Sequence, residues 1–200
     1  MGFPKNKPLT PVPGLIHDGA VWLDGLRIPV EHWVGLRGHN WGTEHANTYA
    51  YGNCNNWSDG VERSIDGFTA HIELGGRPSP PLTALLVRAP EGDLHLNKMR
   101  QLLRHGLVQP FAWHVRRPGV HLVMSCEPGD MVGLRYNQPR GGEHYCYNTK
   151  FARVSLRLGS HVLQSRRGEL ETFFPEPLPE IPLHPPASWT PRNGVYDSAR

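Results

Sequence analysis

Apolar and polar side chains alternate most cleanly between Phe68 and Leu74, where Phe68, Ala70, Ile72 and Leu74 interleave with Thr69, His71 and Glu73. A period of two predicts a half-buried β-strand. Cys146 to Leu158 repeats the pattern, with Ala152, Val154, Leu156 and Leu158 set against Phe151, Arg153, Ser155 and Arg157. His161 to Phe173 is predicted to pair back on it through Gly159-Ser160. Ala20–Leu23 and Arg27–Val34 flank Asp24-Gly25, the dipeptide that best closes a two-residue hairpin. Pro29 places the second of these strands at an edge or makes it irregular. Further strands are predicted over Thr48–Asn56, Leu82–Val87, Pro110–Arg116, Val120–Glu127 and Met131–Asn137, with Gly- and Pro-bearing turns between most of them. Gly35–Gly42 reads as too glycine-rich for a helix and too polar for a core strand. One short helix is predicted over Leu94–Gly106. Leu96, Met99, Leu102 and Leu103 form its apolar stripe, Lys98, Arg100 and Arg104 lie largely opposite, and Gly106 stands at the stop position.

These elements sum to an all-β protein, an antiparallel barrel of eight to ten strands with hairpin connections. Two hundred residues suit one large domain of this kind. Its expected limits are residues 14–174. An extended, linker-like lead-in of four prolines occupies residues 1–13, and residues 175–200 form a Pro-rich flexible tail.

Composition narrows the function classes. The charge is +3, from 21 basic and 18 acidic residues. The basic residues are scattered, Arg116-Arg117 being the nearest to a cluster, so no nucleic-acid role is expected. No apolar run approaches the ~20 residues of a membrane span, and the first residues lack a signal-peptide core. Three cysteines, Cys54, Cys126 and Cys146, are too few and too dispersed for a disulfide framework. A cytoplasmic location is expected. Twelve histidines occur without zinc-type spacing, so neither a metal nor a cofactor is expected. There is no Gly-x-Ser-x-Gly elbow and no phosphate-binding glycine loop.

The densest polar constellation is His39, Asn40, Trp41, Glu44, His45 and Asn47, continuing into Tyr49, Tyr51, Asn53, Asn55 and Asn56. Within the strand over Thr48–Asn56, Tyr49, Tyr51, Asn53 and Asn55 share one face. Polar residues fall on the other face too, which is unusual for a strand that only fills a core.

The runs Gly38-His39-Asn40-Trp41-Gly42 and Tyr49-Ala50-Tyr51-Gly52-Asn53-Cys54-Asn55 resemble the lipocalin-like superfamily of tocopherol cyclases, carotenoid 1,2-hydratases and AttH-like proteins. Cys146-Tyr147-Asn148-Thr149-Lys150 and Glu169–Glu171 are similar to its C-terminal segment. The resemblance implies two barrels in tandem, of which this chain matches the second, over about Pro8–Glu171. It also implies an acid near the Asn-Trp-Gly turn that protonates an alkene. In the hydratases the turn reads Tyr-x-Asp-x-Asn, and the cyclases place a glutamate two residues before the Asn. Here Leu36 and Gly38 occupy those positions, so the acid is missing.

The expected function is therefore binding of a hydrophobic or amphipathic, terpenoid- or lipid-like small molecule in a barrel pocket. Trp41, Tyr49, Tyr51 and Trp113 would line it, with His39, Asn40 and Asn53 among the ligand contacts. One alternative is a cofactor-independent cyclase, hydratase or isomerase using His39, Glu44 or His45 as acid or base. Another is a structural half whose partner is a second lipocalin-like barrel.

Overall fold

A computed structural model describes residues 6–60, 62–74, 76–98, 101–102, 106–138 and 141–184. The chain opens with a long hairpin, β1 (Asn6–Leu23) antiparallel to β2 (Leu26–Gly42), with Leu23 opposite Leu26. Asp24 and Gly25 take φ of 48° and 81°, the double positive-φ turn that Asp-Gly favours. Gly35–Gly42, expected to lie outside regular structure, is instead the second half of β2. Two of the three irregularities in the β1–β2 register fall along this stretch and take up its mismatch with regular pairing. From Asn6 onward the stretch expected as a lead-in is its strand partner. The hairpin is a separate two-stranded sheet, an arm on which Trp22, Leu23, Leu26, Trp33 and Trp41 stand exposed.

The main sheet follows. In chain order its first strands are β3 (Thr48–Cys54) and β4 (Ser64–His71). A small ribbon, β5 (Glu73–Leu74) with β6 (Arg77–Pro78), interrupts it. Then come β7 (Leu82–Arg88), β8 (Leu94–Leu96), β9 (Gly106–Gln109), β10 (Ala112–Arg117) and β11 (Val120–Ser125). The last are β12 (Val132–Asn137), β13 (Glu143–Leu158), β14 (His161–Phe174) and β15 (Leu183–His184). The strand order is β8-β7-β4-β3-β14-β13-β11-β10-β9, and β12 pairs with the first half of β13. Every pair is antiparallel except β12 with β15.

The first part of the expected helix is a strand instead. Leu94–Leu96 pairs with β7, Leu96 lying opposite Leu85, because leucines two apart serve a strand edge as well as a helical stripe. Gly106 begins β9 instead of ending a helix. A Cβ there would collide with the Thr69 hydroxyl and come within 2.5 Å of the Thr83 hydroxyl, so close approach requires the glycine. Met99, Arg100, Leu103 and Arg104 of the predicted helix lie outside the described residues. The expected flexible tail is also packed through His184. Ile181 is buried, and the Leu178 N–H donates to the Tyr147 hydroxyl at 2.6 Å.

The sheet is strongly curled into a half-barrel. Four strands separate β4 from β10 in the sheet order, yet the Trp113 indole N–H of β10 donates to the Thr69 hydroxyl of β4 at 2.8 Å. Only a sheet bent back toward itself brings those strands together. Its concave side is filled by Trp113, Met124, Leu122, Leu156, Leu170, Leu85 and Ile65, all essentially inaccessible to solvent. On β4 the interior face is therefore Ile65, Gly67 and Thr69, while Phe68 of the opposite, more apolar row is only half-buried. A threonine serves here because its hydroxyl is satisfied by Trp113 and by Thr83 at 2.9 Å.

Candidate functional site

The outer side of the same sheet carries the ionisable chemistry. Side chains alternate along β3, so burying Ala50, Gly52 and Cys54 turns Tyr49, Tyr51 and Asn53 outward. Directly paired residues share a face, and the register therefore adds Asp66 and Phe68 from β4, Glu169, Glu171 and Phe173 from β14, and Cys146 and Asn148 from β13.

Two carboxylate–phenol pairs anchor this face. The Tyr49 hydroxyl donates to Glu171 Oε1 at 2.6 Å, and Asn148 Nδ2 donates to Glu171 Oε2 at 2.9 Å. Burial, followed by the Glu171 charge, raises the pKa of the neighbouring Cys146 thiol. Burial first, then the Glu171 charge, also holds the Tyr49 hydroxyl far above the ordinary phenol range. In the second pair the Tyr51 hydroxyl donates to Asp66 Oδ2 at 2.8 Å. Burial raises the Asp66 pKa, against the opposing effect of hydrogen bonds from Tyr51, Thr10 and Asn53. Lys150 pairs with Glu169 beside them.

One end of the face is aromatic. Phe173 is fully buried and stacks on Tyr49, with ring centroids 4.9 Å apart, and on His144 at 5.3 Å. His45 packs on Phe173 at 5.3 Å and lies edge-on to Tyr136 at 5.6 Å. Burial, with His45 nearby, lowers the His144 pKa. Both His144 ring nitrogens and His45 Nδ1 are buried without a hydrogen-bond partner. Polar atoms held this way are costly unless something pairs with them.

The arm crosses near the other end. Asn53 Nδ2 donates to Ile65 O at 2.9 Å and to Pro13 O at 3.4 Å. Asn55 Nδ2 donates to Gly35 O at 2.7 Å. These two asparagines thus fasten both arm strands to the sheet.

The structure brings together Tyr49, Tyr51, Asn53 and His45 of the residues singled out from sequence. It does not bring in Trp113, which lies in the packed interior. His39, Asn40 and Trp41 are exposed at the end of β2, where His39 stacks on Trp41 at 5.2 Å. Glu44 is half-buried in the loop before β3. Sequence reasoning missed Asp66, Glu171, Asn148, Phe173 and Tyr136. The available signal was Glu169-x-Glu171, two acids on one face of a strand whose other face is apolar.

Among the described residues there is no group of three or more His, Cys, Asp or Glu placed to hold a metal ion, and no helix long and apolar enough to cross a membrane. Fold and face together define an all-β protein whose curled sheet is filled inside and chemically equipped outside. In comparisons with known proteins, no family model, no curated protein and no solved structure matches the chain.

Proposed function

We propose that this protein binds an amphipathic, terpenoid- or lipid-like small molecule on the outer face of its curled sheet. The concave interior, where a pocket was expected, is taken up by Trp113, Met124 and their neighbours. The observation that carries the reading is the pairing of an aromatic layer with two carboxylate–phenol pairs on one face. Tyr136 and Tyr49, layered on the buried Phe173, offer apolar contact, and the partly buried Tyr49–Glu171 and Tyr51–Asp66 pairs offer polar contact. Binding sites commonly combine an apolar lining with a few placed polar groups.

Native mass spectrometry of the chain purified from a lipid-rich lysate tests this. An isoprenoid or fatty compound should be retained, and Tyr136→Ala and Tyr51→Phe should each reduce its retention. A protein that emerges empty, or a ligand held equally by both variants, refutes the proposal.

A second reading rests on Asp66. Burial favours its protonated form, and a protonated carboxyl is what addition to an alkene requires. It replaces the acid missing at Gly38, and it stands on β4, away from His39, Glu44 and His45. On this reading an isoprenoid-type substrate is cyclised, hydrated or isomerised. Turnover falls as pH rises through the Asp66 pKa, since the acid form is consumed, and Asp66→Asn abolishes it. Product formation followed across pH decides the matter, and undiminished turnover in Asp66→Asn rules the reading out.

A further inference from the structure

Away from the carboxylate–phenol pairs, an open cleft of about 600 Å³ lies against the β13–β14 hairpin. Its origin is an irregularity in strand pairing. Ala152 lies opposite Gly168 and Val154 opposite Ser165, so Arg166 and Arg167 together face the single residue Arg153. An extra residue on one strand bends it and re-aims its side chains, and here Arg153, Arg166 and Arg167 all line one cleft. The loop after β3 forms another wall. Ser58 N–H donates to Gln164 O at 2.9 Å, and the Ser165 hydroxyl donates to Asn56 O. Ser58, Ser125 and Ser155 contribute to the lining, and no acidic residue does.

Three guanidinium groups gathered around one space give it a local positive potential that favours an anion. Arg153 meets Glu127 at 3.5 Å, but both side chains are well exposed, and such pairs are weak. Neither Arg166 nor Arg167 forms an ion pair among the described residues. Planar guanidinium forks beside hydroxyl donors match the geometry of phosphoryl oxygens. The volume falls in the range of small-molecule sites, with room for more than a single phosphate, and Val123 and Val154 add apolar surface.

We propose that this cleft is a binding site for a small phosphorylated molecule, held by Arg153, Arg166 and Arg167. The site is independent of the outer-face ligand and stands or falls separately.

Titration calorimetry of the full chain with inorganic pyrophosphate at physiological salt provides the test. Saturable binding is expected, weakened at least about tenfold by Arg166→Ala and by Arg153→Ala. Arg157→Ala, also exposed on β13 but outside the cleft, should bind as the unaltered chain does. Arg166→Lys should fall between, because it keeps the charge and loses the fork. All three arginines are exposed, and circular dichroism of each variant checks that the fold persists. Absence of saturable binding overturns the proposal. So does equal weakening by Arg157→Ala, which would reduce the effect to diffuse charge attraction.

Discussion

Trp113→Ala should lower the stability of the fold by about 3–5 kcal/mol, the range for truncating a large buried aromatic. Trp113 is completely buried, and Gly52 across the interior is a glycine because a Cβ would come within 2.8 Å of the indole ring. Removing the ring leaves a void that a sheet curled around it closes poorly. It also removes the indole donor from Thr69, leaving that hydroxyl with Thr83 alone. Trp113→Phe should cost less, since most of the volume stays. Urea unfolding measures both. A loss for Trp113→Ala below about 1 kcal/mol would mean that the interior is not packed around this side chain.

Glu171→Leu comes next, at about 3 kcal/mol, because hydrogen bonds to a charged partner are worth about 1.5–3 kcal/mol each. The substitution strands two partly buried donors, the Tyr49 hydroxyl and Asn148 Nδ2. Glu171→Gln should cost less but not nothing. Its carbonyl oxygen still accepts from Tyr49, while its amide nitrogen faces the Asn148 donor. Pairing Glu171→Leu with Tyr49→Phe should recover part of the loss by removing one stranded hydroxyl, a coupling that a double-mutant cycle reads directly. Strict additivity of the two would show that the carboxylate does not organise this face.

How much of this was legible beforehand follows from the range of each interaction. Asp24-Gly25 and Gly159-Ser160 closed the turns expected of them because turn chemistry is local. Tyr49, Tyr51 and Asn53 fell on one face because alternation is local too. The partners of those residues were not legible. Asp66 meets Tyr51 only through the register of β3 with β4, and Glu171 meets Tyr49 only through pairing with a strand 122 residues further on. Trp113 was placed in a ligand site on its aromatic character, but its burial depends on the curl of the sheet. Thr69 and Phe68 show the limit of hydropathy: the more apolar row faced outward because two hydrogen bonds let a threonine sit inside. At Leu94–Leu96 periodicity alone could not separate strand from helix, and the edge of β7 decided it.

The β13–β14 hairpin has one more property. Thr149 pairs with Leu170 and Ala152 with Gly168, an added residue on β13, before the excess switches to β14 at Arg166-Arg167. Each offset sets two exposed residues side by side between buried ones, Lys150-Phe151 on β13 and Arg166-Arg167 on β14. Deleting one residue of either pair would leave Thr149 and Ala152, or Ser165 and Gly168, at the ordinary spacing of one strand face. The buried rows on both sides would keep facing inward. A deletion here would therefore remove the local bend, and with it the pairing of the two arginines, and leave the interior in place.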